Sequence, residues 1–201
     1  MSMSLDGYVA DFNDGVEELH RWYLNGDVET PTGTDGFWFR TSAASAEILR
    51  DALANTGAVI TGRRNFDIAG GWGGRHPLGV PVFVVTHSTP DGWPRDDAPF
   101  TFLDSVEQAV ASARAAAGEK SVVIASPNIA QQALALGLLD EVAISLVPVL
   151  LGNGIPLFAK RDNGPITLSD PAVVQGSGVT HLIFALQRSP QTAAPEAQVN
   201  A

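Results

Sequence analysis

The sequence predicts an α/β fold: a mostly parallel central sheet flanked by helices, with an antiparallel hairpin at its C-terminal edge. Three observations carry that prediction. Short, almost wholly apolar runs rich in β-branched residues recur through the first two thirds of the chain. Helical patterns separate them, and strand–helix alternation is the mark of a parallel sheet. The last third changes to alternating runs joined by Gly-rich turns, the pattern of antiparallel strands.

Taken in order, Ser4-Leu5-Asp6-Gly7-Tyr8-Val9-Ala10 reads as a short strand ending in Asp-Gly. That places a carboxylate at a strand's carboxyl end, where open α/β sheets bind ligands; the plainer alternative is that Asp6 and Gly7 only make a turn. Asn25 to Gly36, polar and rich in Gly and Thr, reads as a long surface loop. Ala43 to Asn55 carries Ala46, Leu49, Leu53 and Ala54 at helical spacing, and Ser105 to Ala117 does the same with Val106, Ala109, Val110 and Ala113. Gly57 to Thr61, Val80 to Thr86 and Ser121 to Ala125 read as strands buried on both faces. Ile129 to Leu136 follows Pro127, a common first-turn residue, and Gly137 reads as its stop. Glu141 to Val149 alternates, then Gly152-Asn153-Gly154 turns the chain. Ile166 to Val174 and Val179 to Gln187 flank the turn Gln175-Gly176-Ser177-Gly178. Residues 1–188 are expected to form one domain, and the aperiodic Pro-, Ala- and Gln-containing stretch 189–201 a flexible tail.

Composition narrows the function. Of 201 residues 45% are apolar and 17% charged, enough for a packed core. Twelve Lys and Arg against 22 Asp and Glu leave a net charge of −10, which repels phosphate backbones and argues against a nucleic-acid partner. An anionic ligand must therefore be held by local donors. With no cysteine and four histidines, none at metal-ligand spacing, no metal site is expected. No apolar run approaches the roughly 18 to 20 residues of a membrane span, and the start lacks a signal-peptide pattern, so the cytoplasm is the expected location.

Four further features point to chemistry. Thr61-Gly62-Arg63-Arg64-Asn65-Phe66 follows a buried strand; its glycine permits close backbone approach and its arginines offer forks of donors, a phosphate site in an acidic chain. The alternative is a solvated Arg pair. Thr86-His87-Ser88 follows another strand, with donors for a phosphate or ribose, or else a polar transition to a loop. Ala125-Ser126-Pro127-Asn128-Ile129 joins strand to helix, where first-turn amides face a diphosphate and Ser126 caps the helix, donates, or does both. His20 and Trp22 lie in a segment placed to cover a pocket, though such a pair is often structural, and Glu47 is a second carboxylate of interest on a helix. No Ser-His-Asp order, Walker loop or Rossmann GxGxxG is present.

The strings SLDGYVA at Ser4, TGRRNFD at Thr61, PVFVVTH at Pro81 and GLLDEVAISLVPVLLGNGIPLF at Gly137 occur in one order. Together they resemble the dihydrofolate-reductase-like family that includes the reductase domain of the bifunctional riboflavin-biosynthesis deaminase/reductase, from about Met3 to Gln187. The resemblance implies an eight-stranded, mostly parallel sheet and NADPH along the strand ends. It implies Ala10 on the nicotinamide side, Gly62, Arg63 and Arg64 around phosphate, and Thr86 and His87 near the adenosine 2′-phosphate. Asp6, Glu47 and Trp22 fall toward the substrate end, a carboxylate supplying the proton directly or through water. It further implies a small heterocyclic substrate and a homodimer through the C-terminal strands. The chain departs from the pattern at Ala125-Ser126, where many relatives carry Gly-Gly, exchanging backbone freedom for a hydroxyl. That change keeps a second reading open: a nucleotide- or ligand-binding protein on the same fold, without turnover.

Overall fold

The computed structural model describes residues 1–158 and 164–186. In chain order it contains β1 (Ser2–Ser4), β2 (Tyr8–Ala10), α1 (Glu17–His20) running into a 3₁₀ turn (Arg21–Leu24), β3 (Val28–Pro31), β4 (Trp38–Thr41), α2 (Ala43–Asn55) and β5 (Thr56–Gly62). There follow α3 (Arg63–Ile68), a second 3₁₀ segment (Gly70–Gly74), β6 (Val82–Val85), β7 (Phe100–Leu103), α4 (Val106–Ala117), β8 (Ser121–Ile124) and α5 (Pro127–Ala135). The chain then forms β9 (Glu141–Val147), β10 (Ile155–Pro156), β11 (Ala172–Gly176) and β12 (Val179–Ala185). The tail expected at 189–201 and the boundary at 188 lie outside the described residues.

Eight strands divide four and four. One sheet has the order β7-β6-β5-β8 and is parallel throughout. The other has the order β1-β9-β12-β11, with β1 parallel to β9 and the β11–β12 hairpin antiparallel at the edge. The single eight-stranded sheet expected from the resemblance is thus resolved into two ladders.

The parallel sheet explains why its strands read as unbroken apolar runs. Ala58 and Ile60 face Val106, Ala109, Val110 and Ala113 of α4 and Ile129 and Ala133 of α5. Val59, Val82 and Val84 face the other way, onto Phe66, Ala98 and Phe100. With both faces covered, alternation disappears from the sequence, and each buried Val, Ile or Phe contributes roughly 1.5 to 3 kcal/mol. Alanines on α4 let that helix close on β5: a Cβ on Gly57 would meet Ala117 Cα at 2.7 Å. Ser42 and Ser105 cap α2 and α4 by accepting from the amides of Ser45 and Gln108.

Two readings are corrected. Asn25 to Gly36 is not a plain surface loop: Val28–Pro31 pairs antiparallel with Trp38–Thr41, and Thr30 is buried. The β11–β12 turn is tighter than expected, since Gln175 and Gly176 pair with Thr180 and Val179, leaving a two-residue Ser177-Gly178 loop. A left-handed Gly178 suits a two-residue hairpin. Residues 166–171 lie outside β11, apart from a bridge between Leu168 and Leu186.

The second sheet packs differently. Trp22 and Leu19 sit against Val147 and Val179, but polar groups penetrate this core. The Trp22 indole N–H donates to Ser2 Oγ at 3.0 Å. Buried His181 sits between Ser45 Oγ, 2.9 Å from Nε2, and Ser145 Oγ, 3.1 Å from Nδ1. Its ring also meets Trp22 edge-on, with centroids 5.0 Å apart.

Candidate functional site

In a parallel sheet every strand ends on the same side, so β5, β6, β7 and β8 deliver Gly62, Val85, Leu103 and Ile124 to one edge. The order β7-β6-β5-β8 adds strands to one side of β5 and then to the other. The reversal falls between β5 and β8, and such a switch point opens a crevice at the carboxyl ends. Thr61-Gly62-Arg63-Arg64 and Ala125-Ser126-Pro127 follow those two strands.

A hydrogen-bonded brace crosses the switch point. Ser126 Oγ lies 2.9 Å from Thr61 Oγ1 and accepts the Gly62 N–H at 2.9 Å. Asn65 Nδ2 donates to Thr61 Oγ1 at 2.9 Å and to the Ala125 carbonyl at 3.2 Å. Thr61 and Ser126 are both buried. Since each hydroxyl already accepts one N–H, one donates to the other and the second hydroxyl proton has no partner in this network. Ser126 therefore spends its side chain across the sheet and makes no side-chain cap to α5, which corrects the capping alternative. Ile129 is buried beneath the junction, and a Cβ on Gly62 would meet its Cγ1 at 3.3 Å. Asn128 is exposed in the first turn of α5, its Oδ1 accepting from Gln132.

The arginines line the same edge with their charges partly matched. Arg63 Nε lies 2.8 Å from both oxygens of Asp67, and Nη1 donates to the Ser88 carbonyl at 2.7 Å. Arg64 forms a two-pronged pair with Asp14 at 2.9 Å, drawing the loop after β2 toward α3. Thr86 Oγ1 donates to the Ser88 carbonyl at 2.8 Å and accepts from the Ser88 N–H at 3.2 Å, closing a tight turn with His87 exposed at its tip. Beside that turn is a cleft of about 320 Å³.

A second wall comes from the chain's start. Ala10 in β2 pairs with Ile155 in β10, so closely that a Cβ on Gly154 would lie 2.1 Å from the Ala10 carbonyl oxygen. Gln131 Nε2 donates to the Leu157 carbonyl at 2.8 Å and ties α5 to the segment after β10. Asp6 accepts from Ser4 Oγ at 2.6 Å, Leu151 N–H at 3.1 Å and Gly152 N–H at 2.7 Å. These donors, the Ser4 hydroxyl first among them, hold its carboxyl below the usual range. Asp6 thus latches the loop after β9 to the β1–β2 turn as a stable carboxylate.

The remaining candidates are carried by α1, the turn after it and α2, not by the ends of the parallel strands. Glu47 is exposed on α2 and makes no hydrogen bond or ion pair among the described residues. Trp22 is 2% exposed, so its ring is closed to a ligand here, and His20 is an exposed residue meeting Tyr23 edge-on. Sequence reasoning passed over Asp14 and Gln131 and met Asn65 only as part of the Thr61–Phe66 segment, with no role of its own. Asn65, one helical turn beyond Thr61, carried a readable local signal; the other two contacts depend on tertiary approach alone.

No family model matches the sequence, and no curated protein sequence matches it. Solved structures do. A protein assigned to riboflavin biosynthesis from Shewanella sp. PV-4 is similar with a TM-score of 0.67 and 23% identity, over 92% of this chain and 96% of that one. RibD of Acinetobacter baumannii gives a TM-score of 0.59 at 16% identity, over 93% of this chain and 56% of that one. The diaminohydroxyphosphoribosylaminopyrimidine deaminase/5-amino-6-(5-phosphoribosylamino)uracil reductase of Thermotoga maritima gives 0.58 at 13% identity, over 92% of this chain and 54% of that one. The chain spans little more than half the length of the last two, and what it shares with all three is the fold.

Proposed function

We propose that the chain is an NADPH-dependent reductase of a small heterocyclic substrate, pterin- or aminopyrimidine-like, acting on a C=N or C=O group. The observation that carries this reading is the switch point between β5 and β8, which gathers Thr61 to Arg64, Thr86 to Ser88 and Ser126 to Ile129 on one sheet edge. The fold shared with a named deaminase/reductase supports it. The donor set fits a dinucleotide: two guanidiniums, the Ser88 hydroxyl and the first-turn amides of α5 line one sheet edge in a protein otherwise of net charge −10.

In this reading Gly62, Arg63 and Arg64 hold phosphate, Thr86 and His87 take the adenosine end, and Ala10 borders the nicotinamide. When bound, the reduced nicotinamide supplies the hydride. The chain's own task is to orient the acceptor and deliver a proton to the reduced heteroatom. Asp6, held as a carboxylate, orders the water that gives this proton, and Glu47 serves the substrate side. Residues 1–188 act as one cytoplasmic domain. The open edge strand β11, with Val173 58% exposed, is the face through which two copies pair.

One observation favours the second reading, a nucleotide- or small-ligand-binding protein without turnover: Ser126 already occupies the Gly62 N–H that a phosphate would take. Calorimetric titration with NADPH beside NADH, followed by loss of NADPH absorbance with pterin, folate and aminopyrimidine acceptors, tests both. Micromolar binding with turnover is expected. Binding without turnover by any acceptor selects the second reading, and no binding of either nucleotide by folded protein overturns the reductase reading and leaves the second only in its small-ligand form.

A further inference from the structure

The cleft beside the 86–88 turn contains a group that phosphate recognition does not use. Thr86, His87, Ser88, Phe102 and Gln108 line it, and so does Asp104. Asp104 stands between the end of β7 and Ser105, the cap of α4; it is exposed and has no ion-pair partner among the described residues. The cation reaching this wall is Arg63, through its hydrogen bond to the Ser88 carbonyl, and Asp67 already offsets part of its charge. The cleft therefore carries a carboxylate without an ion-pair partner among the described residues, and one of its other lining residues, Ser88, is hydrogen-bonded to a half-matched guanidinium.

These two groups respond oppositely to one feature of a nucleotide. A ribose 2′-hydroxyl donates to a carboxylate, whereas a 2′-phosphate is repelled by it and drawn to a guanidinium. We infer that Asp104 is a specificity-determining residue that favours an unphosphorylated ribose and holds down the preference for NADPH over NADH, with Arg63 pulling the other way. This rests on the reductase reading, since it takes the cleft as the adenosine end of the cofactor. A purely structural Asp104, placing negative charge near the start of α4, would alter stability and leave that preference unmoved.

The test is titration of the wild type, Asp104→Asn and Asp104→Ser with NADPH and NADH, each repeated with adenosine 2′,5′-bisphosphate and AMP. Thermal melting checks that both variants are folded. Removing one negative charge from the wall of this solvent-open cleft is expected to raise the NADPH:NADH affinity ratio about fivefold to tenfold. The bisphosphate:AMP ratio should rise in parallel, and added salt should shrink both effects. Unchanged ratios in both folded variants, with a wild type that binds nucleotide, overturn this inference alone. A wild type that binds none of the four compounds overturns the reductase reading and this inference with it.

Discussion

The two four-stranded sheets solve the same burial problem with different chemistry. The parallel sheet is dry: Val59, Ile60, Val82 and Val84 are wholly buried among apolar neighbours. The mixed sheet is held by apolar contacts together with a polar chain, from Ser2 through Trp22 to His181 and its two serines. An apolar core tolerates small volume changes and ignores pH. A hydrogen-bonded core leaves an unsatisfied group whenever one member is lost. The candidate site lies at the edge of the first sheet, where the Thr61–Ser126–Asn65 brace adds a hydrogen-bonded network of its own. Histidines sensitive to acid sit on both sides, His181 in the mixed sheet and His76 on Trp72 beside the parallel sheet's core.

The largest expected effect comes from Trp22→Ala, which removes a buried indole and leaves Ser2 Oγ without its donor. It should lower stability by about 3 to 5 kcal/mol, measured by denaturant unfolding. A loss under about 1 kcal/mol would mean the mixed sheet does not depend on its polar chain.

Acid comes next. Burial lowers the pKa of His181, and the positive N-terminus adds to this. Burial alone takes His76 from 6.5 to about 4. Both are held neutral in the fold while the unfolded chain titrates near 6.5, so their stabilisation is complete above that pH and is lost as pH falls through the folded values. The His76 shift alone corresponds to about 3 kcal/mol at its limit, near pH 4. Melting temperatures between pH 7 and 4 should fall less steeply in His181→Gln and His76→Gln than in the wild type. Parallel curves for all three proteins would assign the acid response to carboxylates instead.

Arg63→Ala should weaken NADPH by about 1.5 to 3 kcal/mol with little change in stability, because its ion pair with Asp67 is solvent-exposed. An unchanged dissociation constant removes Arg63 from the site. The smallest effect is Ile60→Val in the dry sheet, about 0.5 to 1.5 kcal/mol and independent of pH. A pH-dependent loss there would show that the two cores are coupled.

The same contrast explains what was legible in the sequence. β5 and β6 announce themselves because double-sided burial demands apolar side chains, and α2, α4 and α5 because their caps and stops are local. β8 reads as buried on both faces but is an edge strand with Val123 36% exposed. The β3–β4 hairpin was hidden: it buries Thr30 rather than an aliphatic, and polar Gly- and Thr-rich segments read as loops. β1 and β2, three residues each, are too short to show a period. Parallel topology made it predictable that Arg63, Thr86 and Ser126 follow strands ending on one edge. The pairing of Arg64 with Asp14, 50 residues away, was not, because it depends on how a loop folds back. Ser126 was legible as a departure, but its turn toward Thr61 and Gly62 needed the packed junction of β5 with α5.

The registers also set an order of assembly. Ser2 pairs with Ser145 across most of the chain, whereas β5, β6, β7 and β8 lie within one continuous stretch, 56–124. Closing the longer loop costs more entropy before any contact rewards it. During synthesis the parallel sheet can therefore form while β1 still waits for β9 to emerge. Until then β1 is an unpaired strand, and Trp22 lacks Val147, Val179 and His181, part of the surface that buries it. In a growing chain this unfinished half is the part exposed to chaperones and to other nascent chains.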